Sequence, residues 1–259
     1  MSTRKYEIFQ NRTSFKIAKP FPDGFVYADD ISHVESLIDD HTCAVMIELV
    51  QGEGGVQPQD KAEVQALAKL LKEKGVLLIV DEVQTGFARS GKMFAIENYG
   101  ITPDIMTMAK ALGNGLPISA FSTSDEIAIS FTKPSASTLG GNPVSCAAAM
   151  AVLNYIKEHN LCEHSQVMGE YLLEGLQYLK ERHDIIRDIR GFGLMQGAEL
   201  VEGTKGAGEK VDEVLEAMKD KGILIGKNGI ERNVLAFQPP LIIEKEDIDQ
   251  VINTLDEVL

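Results

Sequence analysis

Two residues in the middle of this chain stand where chemistry could be done. Asp81 follows the apolar run VLLIV at 76–80, and Lys110 follows the run DIMTMA at 104–109. Short apolar runs of this kind suit strands buried on both faces of a parallel sheet. Ligands of open parallel sheets bind beyond the carboxyl ends of the strands, which is where both residues fall. Taken singly, Asp81 could be a helix cap or a surface ion pair, and a lone lysine is ordinarily a solvated charge. Here an apolar strand is expected to carry Lys110 inward, where an ammonium is costly unless paired or deprotonated. A desolvated lysine loses its proton more easily and attacks carbonyl carbons. A carboxylate close by can hold a cationic nitrogen in its charged form.

The elements that must position this pair follow from periodicity. Residues 43–50 (CAVMIELV) and 76–80 read as buried strands. Between them Asp60 is placed to cap a helix with Glu63 as its capping-box partner. Val64, Leu67, Ala68 and Leu71 repeat at helical spacing, and Gly75 ends the helix. Residues 104–109 and 118–123 read as further strands. Asn142-Pro143 looks like a cap followed by proline at the first helical position, opening a helix through Ala147, Ala151 and Ile156. A second helix carries Leu172, Leu176 and Leu179. Residues 185–201 alternate around Gly191 and Gly193 as strands of a smaller sheet, and Val211, Val214, Leu215 and Met218 mark another helix. Residues 233–243 (NVLAFQPPLII) read as an edge strand, since prolines are confined to edges. Ile248, Val251, Ile252 and Leu255 close the chain as an amphipathic helix. The expected organisation is α/β: residues 1–160 as one domain with a mostly parallel sheet, and 161–259 as a small α+β domain.

Composition bounds the function. The chain has 259 residues, 44% apolar and 25% charged, with a formal net charge of -14, as in ordinary globular protein. That acidity disfavours nucleic acid and anionic membrane as partners. No apolar run reaches transmembrane length, and MSTRKYEIFQ has no apolar signal core, so a cytoplasmic location is expected. Cys43, Cys146 and Cys162 are odd in number and lack metal-ligand spacing. They read as reduced, mostly buried thiols, with no metal site.

A Schiff-base lysine with an acidic partner for a pyridinium nitrogen is the signature of pyridoxal 5'-phosphate (PLP) sites. The stretches IELVQGEGG (47–55), IVDEVQTGFARSGKMFAIENYGITPDIMTMAKALGNGLPISA (79–120), STLGGNPVSCAAA (137–149), IRGFGLMQGAEL (189–200) and QPPLII (238–243) extend that signature. Through them the chain resembles the class III (ornithine/acetylornithine/omega-amino acid) aminotransferases of PLP fold type I. The resemblance implies that Lys110 is the Schiff-base lysine and that Asp81 pairs with the pyridinium nitrogen. It implies that Val83 packs on the ring, Gln84 reaches the phenolic oxygen, and Thr138 donates to the cofactor phosphate of a neighbouring subunit, making a homodimer. Glu53 matches a glutamate that pairs with a substrate-binding arginine. Glu48, taken to precede it on the same strand, belongs to the local polar network. The substrates implied are an amino donor and a 2-oxo acid.

Two departures from the family pattern matter. The family's N-terminal section carries a small-residue phosphate loop (of the type S-G-x-E-A) at a helix N-terminus and an aromatic that stacks on the ring. Neither motif occurs here, and residues 1–40 hold only a candidate tail of that section. The expectation is an incomplete large domain: a fragment, a degenerate product, or half of a split enzyme with a separate N-terminal-half chain. The family's substrate-carboxylate arginine precedes the PP pair by three residues, where this chain has Ala236. Arg232 and Lys227 are near but out of register. An amine or omega-amino acid donor is then favoured. A lyase or epimerase of the same fold, and an inactive fragment serving as an assembly module, are the alternatives.

Overall fold

The structure is a computed structural model that describes the backbone of residues 5–9, and residues 24–28 and 30–259 in full. Part of the tail assigned to residues 1–40 of the family's N-terminal section, namely 1–4, 10–23 and 29, lies outside the described residues. Strands β1 (Lys5–Phe9), β2 (Phe25–Ala28) and β3 (Thr42–Glu48) run parallel in the order β2-β1-β3. A short hairpin, β4 (Val50–Gln51) with β5 (Gln57–Pro58), follows β3. Helix α1 (Lys61–Lys74) then returns the chain to β6 (Leu77–Asp81), which joins β3 in parallel. Asp60 accepts from the Glu63 N–H at 3.0 Å, and Gly75 ends the helix at φ 66°. Positive φ is where glycine carries no steric penalty.

Strand β7 (Ile105–Met108) extends the sheet in parallel, and β8 (Ala120–Thr123) closes it antiparallel. Val45, Ile47, Leu78 and Val80 are buried, and α1 covers one face with Val64, Leu67 and Leu71. This strand–helix–strand packing fixes the carboxyl ends of β3, β6 and β7 on a single rim.

Asn142 accepts from the Ser145 N–H at 3.0 Å and Pro143 opens α2 (Pro143–Glu158). Asn160, in the left-handed conformation, precedes α3 (Leu161–Arg182). A second sheet is built from β9 (Ile186–Phe192), β10 (Met195–Glu202), β11 (Lys205–Gly206), β12 (Gly226–Asn228) and β13 (Val234–Phe237). Helix α4 (Gly208–Asp220) precedes β12, and α5 (Lys245–Val258) ends the chain. Leu172, Leu176 and Leu179 of α3 pack with Leu200, Leu235, Val214, Met218 and Leu255 in a core of their own. At the β9–β10 turn the backbone of α3 comes so close that a Cβ on Gly169 would sit 2.2 Å from the Gly193 carbonyl oxygen.

The segment 233–243 is not an edge strand. Its strand, β13, is interior, paired with β10 on one side and β12 on the other, and it stops at Phe237. The prolines exclude themselves from the ladder by lying beyond that end, so they place no constraint on where β13 sits. The three cysteines are free but only partly buried.

Candidate active site

The rim formed by β3, β6 and β7 carries a row of polar groups. Glu48 pairs in register with Asp81, and Asp81 with Thr107. Residues in register on parallel strands share a sheet face and stand roughly 4.8 Å apart. Two carboxyls and a hydroxyl therefore lie abreast. Asp81 Oδ1 accepts the Val83 N–H at 2.9 Å. Thr107 Oγ1 is buried without a hydrogen-bond partner among the described residues. Burial pushes the Glu48 carboxyl up to about 7, and the negative charge of Asp81 adds to this, while the Gly52 N–H and the charge of Lys110 oppose it. Glu48 ends β3, whereas Glu53 lies in the turn between β4 and β5, so the two are not on one strand.

The chain after Asp81 is pinned by a residue the sequence reading passed over. Glu82 is fully buried. Its carboxylate accepts the N–H groups of Ala95 at 3.0 Å and Ile96 at 2.8 Å, and the Thr85 hydroxyl. Burial raises its pKa, and those donors work against the rise. The loop between is thereby held against the sheet, and Val83 and Gln84 are aimed by it. Gln84 lies over Gly52 so closely that a Cβ there would meet its Oε1 at 1.9 Å. The Glu53 turn is tied down from the second sheet, with Asn228 Nδ2 donating to Gly52 O at 2.9 Å and the Gly229 N–H to Glu53 O at 3.1 Å.

A cleft of about 650 Å³ opens at this rim, lined by Glu53, Val83, Gln84, Arg89, Lys110 and Ala236, among others. Asp81 does not itself line it, and its neighbours Val83 and Gln84 do. Arg89 was missed by the sequence reading. Its Nη1 donates to Leu194 O at 3.1 Å and Pro239 O at 2.5 Å, joining the loop to the segment after β13. Burial pushes its guanidinium down to about 10. Only its place in ARSG could have flagged it, because its partners are backbone atoms far along the chain.

The expected burial of Lys110 is not found. Strand β7 ends at Met108, and Lys110 opens a single 3-10 turn at φ 41° with its side chain exposed at the cleft. The strand delivers the lysine to the rim and stops two residues short of covering it. Thr138 is also exposed, in a stretch (131–141) that is exposed throughout, and it does not line the cleft. Neither basic residue near Ala236 does either. Lys227 pairs in register with Leu235 and bonds Gly208 O and Asp212, and Arg232 is exposed. Ala236 itself is buried, between Gly197 of β10 and Gly226 of β12.

The donor set fits the ring end of PLP. Lys110 offers an amine for an aldehyde. Asp81 has one oxygen fixed by a backbone N–H and no other hydrogen bond among the described residues. Val83 and Gln84 supply an apolar face and an amide. The phosphate end has less. Arg89 is committed to two carbonyls, which leaves Lys110 as the other cation of the lining.

A mostly parallel sheet with an aspartate and a lysine on neighbouring strand ends, above a second α+β layer, defines the scaffold of PLP fold type I. The family model for class III aminotransferases matches residues 18–259, and the chain belongs to that family. It is 43% identical over 242 residues to the acetylornithine aminotransferase of Caldanaerobacter subterraneus subsp. tengcongensis, covering 93% of this chain and 60% of that one. With the acetylornithine aminotransferase of Methanocaldococcus jannaschii the identity is 45%, covering 92% and 58%. The chain thus spans about 60% of the length of these relatives. Among solved structures, an aminotransferase of Bacillus anthracis superposes with TM-score 0.91 at 30% identity, covering 99% of this chain and 69% of that one. The ornithine aminotransferase of Toxoplasma gondii, crystallized with oxidized glutathione and with partial occupancy of PLP at its active site, gives 0.89 at 29%, covering 100% and 64%. Class III aminotransferases are PLP-dependent.

Proposed function

We propose that this chain is the lysine-bearing part of an aminotransferase that moves an amino group from an amine or omega-amino acid to a 2-oxo acid. The observation that carries the reading is the row ending in Asp81 and Thr107 beside a cleft that exposes Lys110 and is walled at 236 by alanine. When bound, PLP supplies an electron sink for the pair left on the substrate carbon as its proton departs. Lys110 would hold the cofactor aldehyde through its amine, and the same amine, when free, would move the proton at the substrate carbon as base and acid. Asp81 would keep the ring nitrogen protonated, its carboxylate being oriented by the Val83 N–H. Val83 would pack on the ring, and Gln84 would reach the phenolic oxygen. Glu53, with no arginine opposite at Ala236, faces the substrate and favours a distal ammonium.

The same reading assigns residues 1–160 to a PLP-binding large domain and 161–259 to a small domain. It places Thr138 at the phosphate of a neighbouring copy in a homodimer. A separate N-terminal-half chain is the further partner in this reading. It is supported by exposed apolar side chains from β8 to α2, among them Phe121, Phe131, Leu139 and Met150, at 57–76% of full exposure. Large exposed apolar patches mark interaction surfaces.

The test is to titrate PLP into the chain alone and into the chain with a polypeptide carrying the N-terminal section of a class III relative. Amino transfer from a diamine to a 2-oxo acid is then measured. Transfer that requires the added polypeptide supports the reading. Product formed without any 2-oxo acid indicates a lyase, and no PLP uptake in either mixture leaves an assembly module.

A further inference from the structure

Four buried side-chain atoms lack a hydrogen-bond partner among the described residues, and three of them belong to residues that line one cleft. These are Ser90 Oγ, Asn98 Nδ2 and Gln196 Oε1. The cleft is separate from the one at Lys110. It lies between the loop 90–92, the single-turn helix Ile96–Tyr99, α3 at Gln166–Leu173, and the β9–β10 turn at Gly191–Gly193. Its volume is about 240 Å³, roughly eight times the liquid volume of one water. Ser90 and Gln196 are 5% and 2% exposed. An unpaired polar atom at such depth costs about as much as a lost hydrogen bond, so three around one space call for a polar occupant, be it water or a ligand.

The chemistry of the lining is two-sided. Gln196 is held in place by its own amide, which donates to Gly193 O at 2.9 Å and leaves Oε1 as an acceptor. Asn98 Nδ2 is a donor, and the Ser90 hydroxyl is either. At the exposed rim stand one cation, Lys92, and one anion, Glu170, the latter accepting from Gln166 Nε2 at 3.2 Å. A carboxylate suits Lys92 and Asn98, and an ammonium suits Glu170 and the Gln196 carbonyl. The glycines 91, 169, 191 and 193 keep the walls free of side chains. We propose that this cleft is a binding site for a small zwitterion, a free amino acid, distinct from the place where Lys110 would act. Arg89, which lines the first cleft, is the residue next to Ser90, and its carbonyl accepts from the Leu194 N–H at 3.0 Å and the Ser165 hydroxyl at 3.1 Å. Occupancy of the second cleft therefore reaches the first through one peptide unit.

The experiment uses the full chain without PLP and carrying Lys110→Ala, so that no amino acid is captured covalently at the first cleft. Glycine, L-glutamate and L-ornithine are titrated by calorimetry, with acetate, methylamine and glycerol as single-function controls. Saturable binding of at least one amino acid, and of none of the controls, is expected. Lys92→Gln combined with Glu170→Gln, both exposed, should weaken it by at least about tenfold with an unchanged circular dichroism spectrum. Gln196→Met should do the same, and Asn98→Ser serves if that variant does not fold. No saturable binding, equal binding of glycerol, or indifference to the rim pair would overturn the proposal. So would a crystal soaked in the amino acid that shows only a water cluster on Ser90, Asn98 and Gln196.

Discussion

Glu48 and Asp81 stand abreast at the carboxyl ends of two neighbouring parallel strands, two carboxyls on one face of the sheet. Like charges so placed cannot both ionise freely. Asp81 has a backbone N–H on one oxygen, and Glu48 takes the burden of burial. Its carboxyl is raised to about 7 from the usual carboxylate range. The folded chain therefore binds more protons than the unfolded chain between the two values, and stability falls as pH rises through that window. Glu48→Gln should flatten the fall and gain about 1–3 kcal/mol at pH 8, after allowance for partial exposure, and nothing at pH 4. Urea unfolding of both proteins at the two pH values decides it, and parallel profiles would show that Glu48 is ionised without cost.

Lys110 should accept the pyridoxyl group when PLP and borohydride are added to the reconstituted enzyme, as peptide mapping would show. Lys110→Ala should abolish labelling and transfer. Because the side chain is exposed, the variant should change stability by only about 0.5 kcal/mol or less. A label mapped to another lysine would remove this residue from the mechanism.

Asp81→Ala should leave the ring nitrogen without its carboxylate. The expected result is a turnover rate lower by roughly 10²–10⁴-fold, with labelling at Lys110 retained. Near wild-type turnover would move the ring partner elsewhere on the rim, Glu48 being next in the row.

Ala236→Arg would place a guanidinium in the wall of the cleft that Glu53 also lines. An arginine binds a carboxylate with two parallel hydrogen bonds, which alanine cannot do. The ratio of kcat/KM for glutamate over a diamine should rise by about tenfold or more. If wild type already prefers glutamate and the substitution changes nothing, a different group of the cleft reads the carboxylate.

Arg89→Leu should cost about 2–4 kcal/mol, since it strips the donor from the carbonyls of buried Leu194 and half-buried Pro239. Thermal unfolding of Arg89→Leu and Arg89→Lys measures this, and lysine should recover part of the loss. Equal loss in both variants would mean that the two bonds depend on the planar fork and not on charge.

Much of this arrangement was legible in the sequence because its determinants are local. The caps at Asp60 and Asn142, the stop at Gly75, and the apolar runs before Asp81 and Lys110 each depend on a few adjacent residues. The errors concern depth and long-range partners. An apolar strand before Lys110 says where the lysine arrives, not what covers it. The prolines at 239 and 240 say nothing about 233–237, because β13 ends at Phe237 before either of them. Arg89 has no charged partner among the described residues to betray it, as its bonds go to carbonyls 105 and 150 residues away. Glu82 looked like one more acidic residue in a chain with 39 of them, and only tertiary packing makes it the anchor of the Ala95–Ile96 turn.

Those two long bonds of Arg89 also bear on the order in which the molecule comes apart. A single guanidinium grips the β9–β10 turn and the proline segment together, so fraying of the C-terminal sheet is mechanically transmitted to the lip of the cleft. Slow amide hydrogen exchange on β10 and β13 and slow exchange in the loop after Asp81 should be lost together. The loop most exposed to ligand thus acquires the lifetime of a distant sheet, without a covalent link between them.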